Sequence, residues 1–181
     1  MHNGPVPTFD EQTWDLTVFG EVEQDVRWGW GELCQLPRAR ATMDIHCVTA
    51  WSKLDTEREG VSLRDLVDRG LVRPKPSATV LVQHCEFGYT TNLPLSAAMG
   101  ENVLLATHFG GDPIVPEHGF PLRVVCGAIP GREDREDVYL WKGGRWLRGL
   151  KFLSEDRPGY WEQAGYHNRG RVWVQERFSG R

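Results

Sequence analysis

Asp44-Ile45-His46-Cys47-Val48-Thr49-Ala50-Trp51-Ser52 is the stretch on which the reading of this chain turns. Thr42 to Ile45 reads as a strand that delivers His46 and Cys47 to its end, where a rigid sheet can present a binding group on a loop. A cysteine at such a place is either a small buried hydrophobe or a thiolate that holds a metal. Several widely spaced polar clusters downstream can converge on it, and Cys47 is read here as the single thiolate of a metal cofactor.

The chain has 181 residues, of which 40% are hydrophobic, enough to bury one substantial core and too few for two comfortable domains. One domain over 1–181 is expected. Asp and Glu (25) outnumber Lys and Arg (21), giving a net charge of -4, so no basic face for nucleic acid is indicated. The first residues, Met1 to Pro7, lack a positive segment followed by an apolar run, and no apolar stretch reaches the length of a bilayer span. These features predict a cytoplasmic protein with no membrane span. Cys34, Cys47, Cys85 and Cys126 are then expected as reduced thiols and not as a disulfide framework.

Elsewhere the pattern is rich in strands, with short helices. Trp14, Leu16 and Val18 alternate with Asp15, Thr17 and Phe19 before Gly20, the period of a half-buried strand. Thr79 to Gln83, Val103 to Thr107, Leu122 to Val125 and Trp146 to Leu153 are further strand candidates. Gly31 to Leu36 predicts a short helix stopped by Pro37. Ser62 resembles an N-cap, with Leu63, Leu66 and Val67 as an apolar stripe closed by Gly70. Gly110-Gly111-Asp112-Pro113 is turn chemistry. The charged run within 127–137 reads as an exposed loop, and the aromatic tail with Tyr160, Trp161, Tyr166 and Trp173 as a segment that wraps over the core.

Five motifs occur in order: Asp-Ile-His-Cys-Val-Thr-x-Trp-Ser at 44–52, Gly-Tyr-Thr-Thr-Asn-Leu-Pro-Leu at 88–95, Glu-His-Gly-Phe-Pro-Leu-Arg at 117–123, Lys-Gly-Gly-Arg-Trp at 142–146, and Asp-Arg-Pro-Gly-Tyr-Trp-Glu with Gly-Tyr-His within 156–167. Together they resemble the molybdopterin-binding oxidoreductase domain of the sulfite oxidase family, in its small bacterial stand-alone form. The resemblance implies an α+β fold, a mixed β-rich domain with short peripheral helices. It also implies a molybdenum-molybdopterin cofactor whose dithiolene, with one protein cysteine, coordinates the metal.

Cys47 matches that cysteine, and a soft thiolate suits a metal already held by sulfur. His118 and Arg123 match positions that bind the pterin and its phosphate, and a guanidinium fork suits phosphate oxygens. Lys142, Gly143, Gly144 and Arg145 match the phosphate loop, where glycines let backbone N–H groups approach an anion. The resemblance further places His46 beside the metal ligand, Cys85 near the pterin, and His2 and Asn3 on its N-terminal side.

The departures narrow the function. Ser52 and Lys53 stand where sulfite oxidases resemble one another in carrying an arginine after the cysteine, and the N-terminal arginine has no counterpart, which weighs against sulfite as substrate. Phe87 replaces an aspartate, and Cys126 a proline. With no haem motif in the chain, oxygen-atom transfer on a small molecule would need a separate electron-transfer partner. Three other readings stay open from the residues. His46 and Cys47 with His84 and Cys85 could form a structural zinc site. Cys47 could be a nucleophile with His118 as its base. The domain could carry the cofactor without turnover.

Overall fold

The computed structural model describes residues 4–134 and 136–180. Its strands in chain order are β1 (Asp15–Gly20), β2 (Val26–Gly29), β3 (Ala39–His46), β4 (Ser52–Ser62), β5 (Val80–Cys85), β6 (Thr90–Pro94), β7 (Val103–Phe109), β8 (Asp112–Pro113), β9 (Arg123–Cys126) and β10 (Leu147–Leu153). Four short helices punctuate them: α1 (Trp30–Gln35), α2 (Leu63–Asp68), α3 (Leu95–Ala98) and α4 (Tyr160–Gln163). This is the α+β, sheet-rich architecture expected from the sequence. No helix among the described residues is long and apolar enough to cross a membrane.

One sheet runs β2-β1-β10-β5-β6, with β1 and β10 parallel and the other pairs antiparallel. The other runs β3-β4-β7-β8, with β9 also on β7. Alternation assigns the side chains to layers. Leu16 and Val18 of β1 and Leu150 and Phe152 of β10 enter the main core, where they share a cluster with Val61, Leu105 and Val124 of the second sheet. The intervening residues of that sheet face the other way: Met43, Ile45, Leu104, Ala106 and Val125 form a second cluster. The second sheet is therefore apolar on both faces. Gly60 lies at a β-bulge in β4, where an added Cβ would sit 2.1 Å from the Leu105 carbonyl oxygen, so only glycine lets β4 approach β7 there.

Local signals behave as the sequence indicates at α2, where the Ser62 hydroxyl accepts from the Asp65 amide at 3.3 Å. β2, β4, β6 and β8, with the helices α3 and α4, are the elements the sequence reading lacks. β4 carries Lys53, Asp55, Glu57, Arg58 and Glu59 within one strand, so its alternation does not appear as apolar against polar. The 127–137 segment also differs from expectation at its end. Asp137 is buried and accepts from the Asn102 amide, the Trp173 indole and the Asp134 backbone. The loop thus pins the tail, a role that a count of charges hides.

The tail wraps over the core and is fastened by a buried ion pair. Lys142 Nζ donates to Glu162 Oε1 and Asn92 Oδ1, both at 2.7 Å, and to the Asn168 carbonyl at 2.8 Å. Thr91 and the Trp141 indole donate to the same Glu162 oxygen. Such a pair contributes little against an apolar replacement, yet losing one partner leaves a buried charge uncompensated. Glu162→Ala is expected to lower unfolding stability by about 3–5 kcal/mol in urea denaturation, and Lys142→Met combined with Glu162→Leu to recover most of that loss. A single-substitution loss under about 1 kcal/mol would show that the pair does not fasten the tail.

Candidate functional site

β3 ends at His46, and the chain then turns tightly: the Ala50 amide donates to the Cys47 carbonyl, the Cys47 amide to the Trp51 carbonyl, and Ala50 takes a φ of 67°. The turn leaves the Cys47 sulfur 3.1 Å from the Thr49 hydroxyl. From the tail, Arg177 Nη1 reaches the Cys47 carbonyl at 3.1 Å and also donates to that of Val48, while its guanidinium lies 4.7 Å over the Tyr139 ring. Cys47 is buried with Val48, Tyr139, Trp141 and Val172.

Cys47 opens on a cleft with two chambers. The inner one, about 240 Å³, is walled by Thr49, Trp51, Tyr89, Trp141 and Trp146 around Cys47. The outer one, about 380 Å³, adds Lys53, Arg58, Phe109 and His118. Trp51, Arg123, Leu140 and Arg145 line both, so the chambers adjoin. Their size and apolar walls with a few convergent polar groups suit a small organic molecule or cofactor.

Arg123 sits at the junction. It comes from β9 on the face shared with Val125, is 5% exposed, and its Nη1 donates to the His118 carbonyl at 2.8 Å. No carboxylate pairs with it among the described residues. Burial, then Arg145 and Arg58, pushes its pKa down to about 9, so it remains charged near neutrality. Arg145 donates to the Glu117 carbonyl at 3.0 Å and is likewise depressed by burial. His118 is held below the ordinary histidine range by burial, then by Arg145 and Arg123. A buried cationic group normally has an anionic partner, and this cleft supplies none of its own to Arg123. The donor set fits an anionic phosphate at one end and a metal-seeking thiol at the other.

The residues expected from the sequence do not all face this cleft. Cys47, His118, Arg123, Gly143 and Arg145 line it. The Lys142 side chain does not. It lies in the tail-fastening network described above, and this corrects the expectation that its charge meets a phosphate. Gly144 is also committed elsewhere: its amide donates to Gln83 Oε1 at 2.6 Å, and an added Cβ would lie 2.5 Å from the Cys85 sulfur. The glycine pair therefore lets the segment lie flat on β5 and β9, which differs from the expected anion-facing loop. Cys85 is buried in the main core, where desolvation raises its pKa well above the ordinary thiol value, and it does not line the cleft. His46 points away from Cys47, bonding Ser52 Oγ at 2.8 Å and meeting the Trp173 ring. His2 and Asn3 lie outside the described residues.

The zinc site and the cysteine–histidine nucleophile do not assemble. The described residues contain no group of three or more His, Cys, Asp or Glu able to hold a metal, so the two His-Cys pairs do not converge on zinc. Cys47 meets Thr49 and not an imidazole, and His118 lines only the outer chamber. The sequence reading missed the aromatic walls, Arg58 and Arg177. Trp51, Tyr89 and Trp146 were within quoted motifs; Trp141 and Arg58 had no motif to mark them.

Residues 3–161 match the family model described as the oxidoreductase molybdopterin binding domain. Over 180 residues the chain is 41% identical to an uncharacterized oxidoreductase, YuiH, of Bacillus subtilis (strain 168), covering 99% of this chain and 85% of that one. It is 25% identical to a sulfite oxidase of Arabidopsis thaliana over 91% of this chain and 48% of the relative. It is 26% identical to the protein-methionine-sulfoxide reductase catalytic subunit MsrP of Gluconobacter oxydans (strain 621H), over 86% of this chain and 52% of that subunit. The chain thus spans about half the length of these two relatives. The fold is similar to that of the sulfane dehydrogenase SoxCD from Paracoccus pantotrophus, with a TM-score of 0.69 at 21% identity over 85% of this chain and 41% of that one.

The electrostatics are testable without a ligand. Arg145→Gln removes one of the charges that hold His118 down, so the His118 titration midpoint, followed by NMR, is expected to rise. An unchanged midpoint would show that Arg145 does not act on the imidazole.

Proposed function

Because the chain belongs to the molybdopterin-binding oxidoreductases, enzymes whose cofactor is molybdenum-molybdopterin, we propose that it transfers an oxygen atom to or from a small molecule with Cys47 as the protein's ligand to molybdenum. The observation that carries this reading is the joining, in one cleft, of a buried thiol and an arginine buried without a carboxylate. When bound, the cofactor supplies a two-electron redox change. Everything else is asked of this chain's own residues.

Cys47 would present a thiolate, and the Thr49 hydroxyl 3.1 Å away can donate to that sulfur and fix its lone-pair direction. Arg177 holds the carbonyls of Cys47 and Val48, so the loop cannot swing the sulfur out of the cleft. Arg123 and Arg145 would take the phosphate, with His118 beside them. Trp141 and Trp146 exclude water from the inner chamber, and Trp51, 49% exposed, stands at its mouth.

With Arg123 and Arg145 engaged by the phosphate, the inner chamber offers aromatic faces, the hydroxyls of Thr49 and Tyr89, and no further cation. Lys53 lies against Phe109 in the outer chamber, 4.3 Å from the ring centroid. An uncharged S-oxide fits these walls better than sulfite. Its reduction takes two electrons and two protons and gives a sulfide and water, the electrons arriving from a separate partner. The similarity to a methionine-sulfoxide reductase subunit supports testing this class first. The four free thiols support a reducing, cytoplasmic setting.

Cys47→Ser is expected to keep the far-ultraviolet spectrum and lose viologen-linked sulfoxide reduction by more than about 100-fold, beyond the effect of altering a group that only orients a ligand. Turnover retained within a few-fold would contradict the assignment of Cys47.

A further inference from the structure

Arg58 has no ion-pair or hydrogen-bond partner among the described residues, although its Nε is buried and the carboxylates beside it in sequence are close at hand. Its neighbour Glu59 is taken by Arg38 at 3.2 Å and Arg40 at 2.8 Å on the opposite side of β4. Alternation turns Arg58 to the side of Thr56, whose hydroxyl donates to the Met43 carbonyl beside the second apolar cluster. A cation on that side, with no anion to meet it, is not accounted for by packing.

What holds Arg58 in place is an aromatic ring. The β4–β7 register sets Phe109 directly opposite it, and its guanidinium carbon lies 4.0 Å from the Phe109 centroid. Lys53 lies over the same ring at 4.3 Å. Two cations near one ring repel each other, and an anion between them would offset that repulsion. Both line the outer chamber with His118, Arg123 and Arg145, and Asp112 is the only carboxylate among its lining residues. Arg58 also acts electrostatically on both Arg123 and His118, which places it within their field.

We propose that Arg58, seated on Phe109 and flanked by Lys53, is a third arginine of the site that holds the cofactor's phosphate monoester. This rests on the cofactor reading above and extends it to a position of β4 that lies outside the five motifs. A phosphate dianion has enough acceptor sites for several guanidinium groups, and Arg58 on β4 would approach from across β7, on the sheet face it shares with Arg123 of β9. Lys53 is exposed and would contribute long-range charge more than a fixed hydrogen bond.

The test compares cofactor retention, not turnover. Wild type, Arg58→Gln, Arg58→Lys, Lys53→Gln and Arg40→Gln would be purified from a host that makes the molybdenum cofactor, and molybdenum and pterin per chain followed during prolonged dialysis. Arg58→Gln is expected to lose cofactor about tenfold faster or more, the effect of removing a charge-assisted hydrogen bond, with Arg58→Lys between it and wild type. Lys53→Gln should lose it a few-fold faster, and more so at low salt. Arg40→Gln, whose charge is spent on Glu59, should match wild type. Wild-type retention in folded Arg58→Gln, or in both Arg58→Lys and Lys53→Gln should the former not fold, would overturn the inference. Absence of molybdenum and pterin from the wild type would instead overturn the reading on which it rests.

Discussion

Arg123 is buried at 5% exposure, donates to the His118 carbonyl, and faces Arg145 and Arg58 with no carboxylate to meet it. Desolvating a guanidinium without a partner is unfavourable, and the surrounding cations add repulsion. Nothing in the packing requires a charge there, since the adjacent positions on the same face are Val125, Leu104 and Ala106. The cleft is therefore built around an interaction that the folded chain leaves unfinished. Under the function proposed above, an anionic cofactor would complete it, in the cleft that Cys47 also lines.

Two fastenings keep that space in shape. Arg177 ties the Cys47 loop to the tail, and the Lys142–Glu162 pair ties the tail to β6 and to Trp141. The second shows how position decides what a charge does. Lys142 and Arg145 stand three residues apart in one motif, yet Lys142 is completely buried within a network of its own while Arg145 lines the cleft.

The sequence made the broad fold legible where side chains alternate cleanly, as in β1, where they form a compact apolar run, as in β5 and β7, and where a cap is local, as at Ser62. It singled out Cys47 and Arg123, which line the cleft, because their motifs are dense. It failed at β4, where charges on both faces hide the period, and so it could not mark Arg58. It also assigned Lys142 and Gly144 to an anion loop, because a Lys-Gly-Gly-Arg run has the composition of one. Which of those groups faces the anion depends on long-range partners, Glu162 and Gln83, that no local pattern reveals.

The most direct test of this account is the stability of cofactor-free protein carrying Arg123→Met, measured by urea denaturation against cofactor-free wild type. If Arg123 is a charge kept for an anion, the variant should be as stable as wild type to within about 1 kcal/mol, or more stable, because it loses an uncompensated buried cation. If the variant instead loses about 3–5 kcal/mol, Arg123 is a structural partner of the folded chain and the cleft is not held open for an anion.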